Sequence, residues 1–102
     1  LKDEGADMKK VMVYTGDAVA TPRARAFCKF GERKNLVVML AQYDNRTDFT
    51  DATTAAMEEG WESVVIDHVE TVTPAKLSIS RDLMSAYERA LQQGRAVVAL
   101  ER

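Results

Sequence analysis

VYTGDAVATPRAR, residues 13–25, is the stretch on which the fold turns. An apolar segment, VMVYT at residues 11–15, runs into Gly16 and Asp17. Thr21-Pro22 then offers a helix start: a hydroxyl that can accept from the first free N–H groups, and a proline whose missing N–H had no partner to lose. On this reading residues 11–15 are a strand, TGDAVAT is a connection, and residues 22–34 are a basic helix. Ala24, Ala26, Phe27, Cys28, Phe30 and Gly31 fall on one side of its wheel, with Arg25, Lys29, Glu32 and Arg33 on the other. The competing reading makes RARAFCKF a strand, hairpinned through GERKN to LVVMLAQY, so that residues 23–43 are a hairpin in an α+β chain. Alternation breaks at Phe27-Cys28, which favours the helix.

Outward from that stretch, LVVMLAQ at residues 36–42 is a continuous apolar run, the pattern of a strand covered on both faces, as in a parallel sheet. SVVIDHV at 63–69 and AVVAL at 96–100 read as two further strands. Asp48, with Asp51 in the first turn, opens a helix whose Phe49, Ala52 and Ala56 make a narrow small-residue face, and Gly60 is placed to stop it. Leu83, Met84, Tyr87, Ala90 and Leu91 follow a helical spacing between a Ser80 cap and a Gly94 stop. The order β-α-β-α-β-α-β predicts an α/β fold: a small, single-layer, mostly parallel four-stranded sheet flanked by helices. ETVTPAKLSIS, residues 70–80, is long for a loop, and a short extra strand there would make the sheet mixed. Residues 1–7 read as a flexible N-terminal extension, native or vector-derived, before a single domain over residues 8–102.

Composition narrows the function classes. Of 102 residues, 46% are apolar and 29% charged, a globular balance. The longest apolar run, Leu36–Ala41, is far short of a membrane span, which predicts no membrane partner. The lone cysteine, Cys28, excludes an internal disulfide and points to a reducing, cytoplasmic setting. Residues 8–34 hold seven Lys/Arg against two acids, whereas residues 35–80 hold two against eight. Such a division can mark a binding face or self-complementary packing between copies.

Motifs are sparse. Neither G-x-x-x-x-G-K-[ST] nor G-x-G-x-x-G occurs, Pro22 lacks an N–H for an anion, and Asp17 would repel a phosphate, so the opening stretch reads as a strand-to-helix turn. His68 is the only histidine; on a strand it shares a face with Glu70 while Asp67 points away, so the three cannot converge without distortion. Asp17 and Asp44 at adjacent strand ends are the one acid pair a Mg²⁺ could use, and no cofactor is expected. Cys28 lies on the apolar helix face, with no base to activate it. The basic helix could meet phosphates, but few aromatic residues are free to stack, and nucleic acid is an unfavoured partner.

The leading expectation is therefore an accessory or regulatory domain acting through protein contacts, a homodimer being one such contact. Arg25, Lys29, Arg33 and Trp61 are its partner-facing candidates. The alternative is a small-ligand or nucleotide-phosphate site, either for binding alone or for an enzymatic reaction. It would use Thr15, Gly16, Asp17, Thr21, Arg23, Asp44 and Arg46, gathered at the carboxyl edge of a parallel sheet.

Overall fold

A computed structural model describes residues 10–23, 31–43, 47–71, 74–77 and 80–100. Its elements are β1 (Lys10–Ala20), β2 (Arg33–Gln42), α1 (Phe49–Glu58), β3 (Trp61–Thr71), α2 (Pro74–Leu77), α3 (Arg81–Gln93) and β4 (Arg95–Ala99). The strands form one sheet in the order β3-β1-β2-β4. Every neighbouring pair is antiparallel. The mostly parallel β-α-β-α-β-α-β expectation is therefore wrong, and the α+β alternative fits.

The error begins at Gly16. β1 does not stop at Thr15 but continues to Ala20, pairing with β2 in unbroken register from Lys10↔Gln42 to Val19↔Arg33. Beyond it Ala20 N–H donates to the Glu32 carbonyl at 3.0 Å, and Gly31 N–H to the Ala20 carbonyl at 2.9 Å. The hairpin of the competing reading, RARAFCKF against LVVMLAQY, is not the one formed: β2 pairs with β1 instead. Arg33 and Lys34, assigned by sequence to the end of a helix, are strand residues. Residues 24–30, with Cys28, lie outside the described residues.

Both faces of the central strands are covered, as the apolar run of β2 implies. Met12, Tyr14, Ala18 and Ala20 of β1 join Leu36, Val38 and Leu40 of β2 and Ala52, Ala55 and Ala56 of α1 on one side. Val11, Val13, Val37 and Met39 pack with Leu77, Ala86, Ala90 and Ala96 on the other, beneath α3. Helices on both faces make a central strand apolar at every position whichever way its neighbours run, so the run could not report strand direction. Ala52 and Ala56 of the expected face are buried with Ala55 and let α1 approach the sheet closely, whereas Phe49, expected on that face, is exposed.

The helix boundaries follow the sequence signals. Asp48 caps α1, its side chain accepting from Asp51 N–H at 2.9 Å. Ser80 caps α3 by accepting from Leu83 N–H at 3.3 Å, and Gly94 ends it in the left-handed region at φ 99°. The uncertain 70–80 stretch contributes the end of β3 and the four-residue α2, whose Leu77 is buried; its described residues add no fifth strand. No described helix is long and apolar enough to cross a membrane.

β3 is irregular. Thr15 faces His68 while Gly16 faces Ile66, so Asp67 is an extra residue. A second shift lies between the Asp17↔Val65 and Val19↔Glu62 pairs, where Ser63 adopts φ 51°. Two such bulges bend and twist this edge strand.

Candidate functional site

The alternation of β1 and β2 continues to their far ends on the α1 side, through Ala18, Ala20 and Leu36. On the α3 side it changes character. The positions under α3 are Val11, Val13, Val37 and Met39, and those beyond it are Thr15, Asp17, Asn35 and Arg33, with a half-buried Val19 as the apolar exception. The strands remain paired throughout, so one half of one sheet face is largely polar by sequence rather than by fraying.

That polar half is a shallow depression of about 310 Å³, lined by Thr15, Gly16, Asp17, Asn35, Leu36, Asp67 and Leu100. A second depression of about 270 Å³ adjoins it through Asn35 and Leu100, adding Glu32, Arg33 and Lys34. Asp67 reaches the floor because the bulge supplies the distortion that a regular strand would have lacked. Arg33 forms an ion pair with Asp17 across the hairpin, both groups partly exposed, and its guanidinium also lies 3.5 Å from the Ser63 carbonyl oxygen. Among the described residues no cluster of histidine, cysteine and acids is placed to hold a metal. His68 pairs with Glu70 at 3.9 Å on the exposed surface, as its strand spacing suggested.

The remaining sequence candidates divide between packing and the undescribed segments. Thr21 donates its hydroxyl to the Gly60 carbonyl and accepts from Arg23 N–H at 3.2 Å. The Arg23 guanidinium donates to the Met57 carbonyl at 3.4 Å, a positive charge at the carboxyl end of α1 where the helix dipole favours one. Thr21 and Arg23 therefore tie the end of β1 to the α1–β3 turn. They do not join the depression. Trp61, 5% exposed, is part of the core beneath α1. Arg25, Lys29, Asp44 and Arg46 lie outside the described residues. The antiparallel pairing also removes the carboxyl edge that was to gather the ligand candidates, yet Thr15, Gly16 and Asp17 still share one depression for a different reason, the end of the α3 cover.

Asn35 was not among the expected site residues, and Asp67 was weighed only as a neighbour of His68. A shared signal marks Asn35: it takes the same parity as Val37 and Met39, just as Thr15 and Asp17 take that of Val11 and Val13. Reading the two strands as one hairpin exposes it. Comparison with protein-family models, curated proteins and solved structures yields no significant match to this chain.

Proposed function

We propose that this chain is a small-ligand-binding domain whose site is the uncovered polar end of the α3 side of the sheet. The observation that supports it most directly is the switch from Val11, Val13, Val37 and Met39 to Thr15, Asp17 and Asn35 along strands that stay paired and keep their other face apolar. A hydroxyl, an amide, two carboxylates and the Leu100 wall meet there in a depression of about 310 Å³, room for a small polar molecule. Asp17 and Arg33 neutralise one another, which leaves the Asp67 carboxylate as the uncompensated charge of the lining, and it opposes a phosphate. The chemistry therefore favours a neutral or cationic ligand rich in hydrogen-bonding groups. No hydrogen bond links the Thr15 hydroxyl to a carboxylate among the described residues, and binding is the reading these residues support. The charge division along the sequence and the single cysteine support a cytoplasmic setting and the accessory role as the second reading.

A thermal-melt screen tests it, with polyols, amino acids, polyamines, nucleosides and sugar phosphates on one plate. A ligand at about 100 times its dissociation constant adds roughly 2.7 kcal/mol. For a domain near this size the midpoint then rises by roughly 10 °C or more. The expected result is such a rise with a neutral or cationic compound, lost in Asn35→Ala and Asp67→Asn. A rise with sugar phosphates alone overturns the ligand class. No rise with any compound overturns the ligand site and leaves the protein-contact reading.

A further inference from the structure

The two edges of the sheet are built differently. β3 carries two bulges and an exposed row of acids in Glu62, Asp67 and Glu70, the usual protections against pairing with another strand. β4, RAVVA, has no bulge against β2, no proline, and a single charge at Arg95, which is paired with Glu58 of α1. Both α1 and α3 contact β4, so each helix layer reaches this edge.

The backbone parity of β4 follows from two bonds. Ala41 N–H donates to the Gly94 carbonyl at 3.0 Å, and Leu100 N–H donates to the Asn35 carbonyl at 2.9 Å. With the β2 register these place Gly94, Ala96, Val98 and Leu100 with their backbone groups toward β2. Arg95, Val97 and Ala99 then point their N–H and C=O groups outward, and no described strand pairs with them.

We infer that β4 is a docking edge for a second copy of this chain, pairing antiparallel with its own counterpart to extend the sheet to eight strands. An antiparallel edge is complementary to itself about a two-fold axis. With the axis at Val97, Val97 faces Val97 of the second copy and Arg95 faces Ala99, so the outward backbone groups meet in hydrogen-bonded pairs and no like charges are opposed. On the α3 side, Ala96 faces Val98. A net charge of −2 sets little repulsion between the copies. The ribbon is short, so the dimer is a concentration-dependent one at the small end of specific interfaces.

The test combines sedimentation of the full chain over a range of concentrations with amide hydrogen exchange. The expected result is a monomer–dimer equilibrium in which the amides of Val97 and Ala99 are protected at high concentration and exchange freely on dilution. Ala99→Pro removes an outward N–H without touching the β2 ladder, and the edge position tolerates proline. It should hold the chain monomeric, with the unfolding midpoint of the unmodified chain at dilutions where both are monomers. If that variant fails to fold, exchange in the unmodified chain decides alone. A monomer at every concentration overturns the inference. So does a dimer in which these amides still exchange freely, or protection that ignores dilution and so reports cover from the chain's own residues.

Discussion

The backbone of Val65 passes so close to Gly16 that a Cβ built on Gly16 would lie 1.8 Å from the Val65 carbonyl oxygen and 2.8 Å from the Ile66 Cα. The contact sits beside the bulge where Asp67 is extruded, so Gly16 is the residue that lets β1 and β3 close together there. The glycine that looked like part of a turn is instead a clearance in the middle of a strand.

Gly16→Ala should therefore be one of the costliest small substitutions in the chain. The obstacle is backbone, not the end of a flexible side chain, and the expected loss is on the order of 3 kcal/mol, the upper part of the overpacking range. Urea unfolding measures it; a loss below about 0.5 kcal/mol would show that β3 does not approach β1 in this way.

Tyr14 is fully buried, yet its hydroxyl accepts from Asp48 N–H at 2.8 Å and its ring meets Phe49 edge-on, with centroids 5.4 Å apart. One side chain thus anchors the start of α1 to the sheet. Tyr14→Phe keeps the ring packing and removes the hydrogen bond, which should lower stability by about 1 kcal/mol. Tyr14→Ala should cost about 3–5 kcal/mol, because it also leaves a cavity under α1. Equal losses in the two variants would refute this division of labour.

The ends of α3 allow a conformational effect to be separated from a steric one. Gly94 stands at φ 99° with nothing within 4 Å of an added Cβ, so Gly94→Ala should lose about 1 kcal/mol through backbone strain alone. Gly94→Asn should recover part of it, since asparagine tolerates the left-handed region better. Ser80→Ala at the other end should also cost about 1 kcal/mol by freeing the Leu83 N–H. Thermal unfolding of the three variants checks the order, and an Asn variant less stable than the Ala variant would contradict it.

Local chemistry made much of this protein legible from its residues. The caps at Asp48 and Ser80, the stops at Gly60 and Gly94, the core face of α3 and the Ala52 and Ala56 part of that of α1 follow from hydrogen-bonding side chains and apolar spacing within one element. The apolar hearts of the four strands were legible for the same reason. Strand direction was not, because a strand covered on both faces has the same composition in a parallel and an antiparallel sheet. Nor was the length of β1. From Thr15 onward its α3-facing positions are Thr15, Asp17 and a half-buried Val19, a largely polar series because α3 does not extend over it, and its α1-facing positions are the inconspicuous Ala18 and Ala20. Local spacing reports what one element needs from its surroundings. Which neighbour meets that need, and over how much of the strand, depends on the packing of α1, α3 and β3 around the hairpin, contacts between residues far apart in the chain. That packing brings Thr15, Asp17, Asn35 and Asp67 into one depression and leaves β4 as the last described strand at its end of the sheet.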